Sequence, residues 1–133
     1  MERQIVYNAI DCLDCGETIV SYHRHDYKTC GCRNQATVDG GNDYLRYGAV
    51  DFNKIESVAV YADMPHSVVR LYATRGGRGE DGKQPLTWVR ICDMNDDWLK
   101  ALLDYYPPGT NHWHLNIIRN EIEYRKISYD KVV

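Results

Sequence analysis

The chain has 133 residues, 44% of them hydrophobic and 26% charged, and its 16 basic and 19 acidic side chains leave a net charge of −3. Such a chain fits one globular domain, or one domain with a small appended module, and lacks the basic excess of a typical nucleic-acid binder. No apolar run nears bilayer-spanning length, and the first eight residues lack the apolar stretch of a signal peptide. The cysteine count of five is odd, which fits a reducing compartment better than a disulfide framework, so cytoplasmic residence is the expectation.

In chain order, Gln4 to Ala9 reads as a short strand leading into Cys12 and Cys15. Glu17 to Tyr22 alternates polar and apolar residues, as a half-buried strand does. Asp26 to Thr29 is expected to pair back with it across His23-Arg24-His25, bringing Cys30 and Cys32 near the first pair. Ala36 to Asp39 is a further short strand, ended by the turn Gly40-Gly41-Asn42-Asp43.

Residues 55 to 61, 67 to 74 and 86 to 92 are rich in β-branched and aromatic residues and read as strands. Arg75 to Pro85 carries four glycines and no apolar residue and reads as an exposed loop. Cys92 reads as a small buried hydrophobe in the last strand. Asn95 is the N-cap of a helix over 96–106, with Asp96 and Asp97 suited to its first turn. Pro107-Pro108-Gly109 stops it, and Thr110 or Asn111 caps a second helix to about residue 126. The expected fold class is α+β: an N-terminal zinc ribbon (1–53) joined to a small antiparallel sheet covered by two C-terminal helices (54–133).

The chemistry-bearing pattern is Cys12-x2-Cys15, fourteen residues, then Cys30-x-Cys32. Two local cysteine pairs match the tetrahedral thiolate preference of zinc, and the expectation is one structural zinc per chain held by these four. Gly16 relieves crowding after the first knuckle. Two disulfides remain an alternative, as does replacement of one cysteine by His23 or His25. Four thiolates leave no open position, so the metal would hold structure without doing chemistry.

Two clusters stand beside the cysteines. Arg24-His25-Asp26 places a base next to a guanidinium and a carboxylate. Asp39, Asp43, Tyr44 and Arg46 flank or follow the Gly40-Gly41 turn. His25 with Asp26, Asp39 or Asp43 could act as general acid/base, and the same residues could equally form an ion-pair network or a binding surface. Sequence neighbours on a strand face opposite sides, so His25 and Asp26 need not cooperate. The glycine-rich loop at 75–85 lacks P-loop spacing.

The stretch Cys12-Leu-Asp-Cys-Gly, then Ser21-Tyr-His-Arg-His-Asp-Tyr-Lys-Thr-Cys-Gly-Cys, then Val38-Asp-Gly-Gly-Asn-Asp-Tyr-Leu-Arg resembles a family of small uncharacterised zinc-ribbon proteins. That family is found mainly in bacteriophages, and the resemblance covers about residues 8–48. Arg33 stands where the family pattern has Gly, and Tyr47 where a second basic residue often follows. The rest of the chain, from Thr74 through Met94-Asn-Asp-Asp-Trp to Glu121-Ile-Glu-Tyr-Arg-Lys, is similar to a module of small phage proteins. The resemblance implies a setting, the infected bacterial cytoplasm, and no reaction.

The function expected is a phage-encoded accessory factor that binds a host protein, in host takeover or counter-defence. Its binding surface would comprise Arg24, His25, Asp39, Asp43, Tyr44 and Arg46. One alternative is a nucleic-acid binder drawing on Arg24, Arg33, Arg46, Arg75 and Arg78. The other is a small hydrolase built on His25. No catalytic residue and no membrane partner is assigned.

Overall fold

In the computed structural model, which describes residues 3–79 and 81–127, the chain divides into two units, Met1–Asp63 and Met64–Val133. The strands of the first are β1 (Ile5–Cys12), β2 (Thr18–Ser21), β3 (Lys28–Thr29), β4 (Thr37–Asp39), β5 (Arg46–Gly48), β6 (Ile55–Ser57) and β7 (Val60–Tyr61). β1 is central. β2 pairs antiparallel along one edge, with Ala9 opposite Val20 and Ile10 opposite Ile19. β6 and β7 share the other edge, β6 against Ile10–Cys12 and β7 against Ile5 and Tyr7. Covered on both edges, β1 buries Ile5, Val6, Asn8, Ala9, Ile10 and Cys12.

A second sheet has the order β3-β4-β5. Ile10, Cys12, Ile19, Cys30, Ala36 and Val38 form one buried cluster, flanked by the half-buried Cys32 and Ile55. Polar pins hold the glycine turn against β1. Asn8 Nδ2 donates to the carbonyls of Asp39, Gly41 and Tyr44 at 3.0, 3.0 and 2.9 Å, and Gly41 N–H donates to Ser21 Oγ at 3.0 Å. The turn needs its glycines: Gly40 has φ +110 and Gly41 φ +52, and a Cβ on Gly41 would lie 2.3 Å from the His23 carbonyl carbon.

The second unit contains α1 (His66–Tyr72), the hairpin β8 (Thr74–Gly77) and β9 (Thr87–Arg90), a 3-10 turn at Ile91–Asp93, α2 (Asp96–Tyr105) and α3 (Trp113–Arg125). Val69, Ala73, Ile91, Met94, Leu99, Leu103, Leu115, Ile117, Ile118 and Ile122 are buried. Asn95 caps α2 as expected, its Oδ1 accepting from Trp98 N–H at 2.8 Å. The next helix starts later than expected, with His112 as its N-cap and Nδ1 accepting from His114 N–H.

Several expectations are corrected. Asp26–Thr29 does not form a ladder with β2; Lys28 and Thr29 pair with β4. Residues 55–61 are two strands, and both belong with β1 in the first unit, so the stretch 54–63 lies before the division between units. Residues 67–74 are not a strand but mostly helix α1. Composition there is β-like, yet period decides: helical spacing sends Val69 and Ala73 into the core and turns His66 and Arg70 together toward Glu121. Arg75–Gly77 is strand β8, so the loop is shorter than expected. The sheet that was to lie under two helices is therefore a two-stranded hairpin. Cys92 sits half-buried in the 3-10 turn, with Sγ near Asp93 Oδ1 at 3.7 Å.

Candidate metal centre

The first cysteine pair sits where β1 ends in a tight turn. Cys12 N–H donates to Glu17 O at 2.9 Å and Gly16 N–H to Cys12 O at 2.8 Å, and Gly16 supplies the φ of +75 that closes the knuckle. The second pair sits between β3 and β4. Cys30 N–H donates to Ala36 O at 2.9 Å and Gln35 N–H to Cys32 O at 3.1 Å, with Gln35 in the left-handed region at φ +50. Later chain braces both knuckles: Leu13 N–H donates to Lys54 O at 2.8 Å, and Asn34 Oδ1 accepts from Asp51 N–H at 2.7 Å.

The four ligand atoms of Cys12, Cys15, Cys30 and Cys32 lie within 4.8 Å of one another. Cys32 Sγ is 3.5 Å from the sulfurs of Cys12 and Cys30, and none of the four is in a disulfide. A zinc–thiolate tetrahedron with bonds of about 2.3 Å has edges of about 3.8 Å, so the observed spacing suits a metal ion.

The donor chemistry agrees. Ala36 N–H donates to Cys30 Sγ at 3.2 Å, and the amides of Cys15 and Asp14, of Glu17 and of Asn34 favour the thiolate forms of Cys12, Cys15 and Cys32 in turn. Such bonds stabilise thiolates. The Cys15 N–H above all pulls the Cys12 thiol down to about 7. The Glu17 N–H lowers the Cys15 thiol, but desolvation and the crowding sulfurs of Cys12, Cys32 and Cys30 outweigh it and push Cys15 up to about 12. Four clustered thiols cannot all ionise by themselves; a bound cation reverses that by coordinating thiolates directly. The cysteines thus form a site able to hold a metal ion, and neither His23 nor His25 belongs to it.

The expected surface residues do come together, in two threads. Arg24 Nε lies 3.9 Å from Asp43 Oδ2. His25 Nδ1 and Tyr44 Oη share a hydrogen bond at 3.1 Å, and Tyr44 Oη donates to Asp39 Oδ2 at 3.2 Å. With that proton committed, His25 is the donor to Tyr44. Arg46 Nη1 lies 3.9 Å from Asp39 Oδ2. Arg24, His25, Asp43 and Arg46 are exposed, whereas Asp39 is buried and Tyr44 half-buried. Asp26 turns away from His25: its Oδ2 accepts from Tyr22 N–H at 2.8 Å and pairs with Lys28 at 3.4 Å.

Asn8, Ser21 and Asn34 escaped the sequence reading. For Asn8 a signal exists, a lone amide inside the apolar strand Ile-Val-Tyr-Asn-Ala-Ile. A second missed cluster lies in the other unit. Fully buried Glu121 accepts from His66 Nε2 and Arg70 Nε, both at 2.9 Å on Oε1, and from Arg70 Nη2 and Arg125 on Oε2. Desolvation would raise its pKa, but bonds from Arg70, Arg125 and His66 hold it down at about 2. An acid between Ile118 and Ile122 on the apolar stripe of α3 was its signal.

A family model described as a domain of unknown function (DUF7695) matches residues 4–49, a minority of the chain that holds both cysteine pairs and the Asp39–Arg46 segment. No curated protein and no solved structure matches the chain. No helix among the described residues is long and apolar enough to cross a membrane.

Proposed function

We propose that the first unit is a zinc-stabilised protein-binding module, and that the protein is a phage-encoded accessory factor acting on a host component in the bacterial cytoplasm. Zinc is the metal that four N–H-supported thiolates in two local pairs suit best, and a closed thiolate shell gives it a structural role. The observation that carries the binding role is the Asp39–Arg46 segment. Asn8 fixes its backbone from below, while Arg24, His25, Asp43 and Arg46 face solvent above. A rigid backbone carrying exposed arginine beside tyrosine is the composition of interface hot spots.

Charge favours a protein partner over nucleic acid. Residues 1–63 carry six basic and ten acidic side chains, and a zinc ion bound by four thiolates would add further negative charge. Arg24 and Arg46, which the nucleic-acid reading needs, each stand beside a carboxylate. The hydrolase reading gains nothing, because the nearest hydrogen-bond partner of His25 is a phenol and not an acid.

The test is affinity capture of tagged protein from bacterial lysate, comparing wild type with Arg24→Ala and Arg46→Ala, with metal content and thermal melts measured alongside. A partner protein retained by wild type and lost by the variants, at unchanged zinc content and melting temperature, is the expected result. Capture that is indifferent to both arginines, or a nuclease-sensitive eluate, would overturn the reading.

A further inference from the structure

The β3–β4–β5 sheet carries an open cleft of 360 Å3, lined in part by Tyr27, Thr37, Asp39, Arg46, Tyr47 and Val50. We propose that this cleft receives a basic side chain of a protein partner, arginine in preference to lysine, with Asp39 as its counter-ion. This rests on the protein-binding reading above and specifies what the surface recognises.

The argument starts from an under-bonded carboxylate. The Asp39 side chain is only 10% exposed, and buried carboxylates normally collect several donors. Asp39 Oδ2 accepts from Tyr44 Oη at 3.2 Å, while Oδ1 is buried and has no hydrogen-bond partner among the described residues. The adjacent cation does not fill the need. Arg46 Nη1 stands 3.9 Å from Oδ2, beyond hydrogen-bond range, on a side chain 75% exposed, and such a loose ion pair is weakly held.

The walls complete the chemistry. Tyr27, which the strand register places on the Asp39 side of the sheet, is 67% exposed, so aromatic surface is available beside the acid. A planar guanidinium combines donors for a carboxylate with attraction to aromatic faces, which a compact ammonium does less well. The acidic balance of the unit draws a cation toward the cleft, and an acidic ligand would meet Asp39 directly. When a partner's arginine displaces Arg46, that exposed side chain is free to pair with an acid on the partner.

The experiment is an NMR titration of the zinc-loaded full chain with acetyl-arginine amide, acetyl-lysine amide, the uncharged acetyl-citrulline amide and spermidine. The expected result is that arginine shifts the amides of Thr37, Asp39 and Gly48, lysine does so more weakly and citrulline not at all. Asp39→Asn keeps the Tyr44 hydrogen bond and should weaken arginine binding about tenfold at unchanged spectral dispersion and zinc content. Arg46→Ala, lacking the competing cation, should bind arginine more tightly. Shifts outside the cleft, citrulline binding as well as arginine, or weaker binding by Arg46→Ala would overturn the proposal. Spermidine outcompeting arginine would overturn it in favour of a free polyamine. If Asp39→Asn does not fold, the wild-type shift map and the citrulline control still decide. Partner capture that survives in folded Asp39→Asn sinks this inference alone; arginine binding at the cleft without any captured partner sinks the protein-binding reading alone.

Discussion

The two units are stabilised by different means. The first gathers a small apolar cluster, Ile10, Ile19, Ala36 and Val38, around the cysteines, and strands as short as β3 and β4 close over it. A unit of this size gains stability from a staple. The second buries a larger aliphatic set between three helices and a hairpin, and places inside it an ionised carboxylate held by three cationic or potentially cationic side chains. On the proposed reading one unit depends on an ion from outside, the other on charges it carries itself. They should therefore fail under different insults.

Metal removal gives the largest contrast. Structural zinc contributes on the order of 10 kcal/mol to folding of small domains, so a strong chelator, or Cys12→Ser, should unfold the first unit. Amide signals of residues 5–61 should collapse while those of 66–125 stay dispersed. Retention of β1 signals in metal-free protein would break the contrast.

Next comes Glu121→Ala, which strands Arg70 in a partly buried position and leaves Arg125 with Asp96 and two backbone carbonyls. Leaving a charge such as that of Arg70 uncompensated costs about 3–5 kcal/mol. The melting transition of the second unit should fall steeply with zinc content untouched. An unchanged melt would show that the cluster is an ornament of the surface and no part of the core.

Acid should act in the same place. Burial, with Arg75 and His112 nearby, lowers the His114 pKa from 6.5 to about 4, and its Nε2 is a buried atom with no hydrogen-bond partner among the described residues. The unfolded chain binds that proton near pH 6.5 and the folded chain only near 4. Stability is thus complete above this window and lost as pH falls through it, by roughly 3 kcal/mol. Below 4.5 the Glu121 carboxylate adds a second loss as its folded pKa near 2 is approached. His114→Phe should flatten the first segment of the melting-temperature profile and leave the second.

The smallest effect belongs to Asn95→Ala. It removes the side-chain oxygen that caps α2, for a loss of about 1 kcal/mol in the second unit. Urea titration should show the shift without a change in slope.

What was legible in the sequence followed from short-range chemistry. Cys-x2-Cys-Gly draws its two sulfurs together within one turn, and Asn95-Asp96-Asp97 before an apolar helical stripe announces a cap, whatever the rest of the chain does. The Gly40-Gly41 turn was legible too, though not its reason, which is close contact of Gly40 with Tyr44 in the same turn and of Gly41 with His23 from elsewhere in the fold. Helix α1 was misread because Val68-Val69 carries a strand-like composition, and only its packing partners reveal which period applies.

By itself, the sequence determined the four cysteines as a set, the α2 cap, the stop at Pro107-Pro108 and the acidic balance of the first half. Those depend on neighbours within a few residues or on composition alone. Tertiary structure decided that β6 and β7 belong to β1, that β3 pairs forward with β4, and that Asp39 sinks beneath Tyr44 while Arg46 remains exposed. It also decided that Glu121 meets His66 and Arg70 across more than fifty positions. The pairings with β1 and the Glu121 contacts join residues distant along the chain, and partner choice at that range is set by competition among all available surfaces, to which a local pattern contributes only one side.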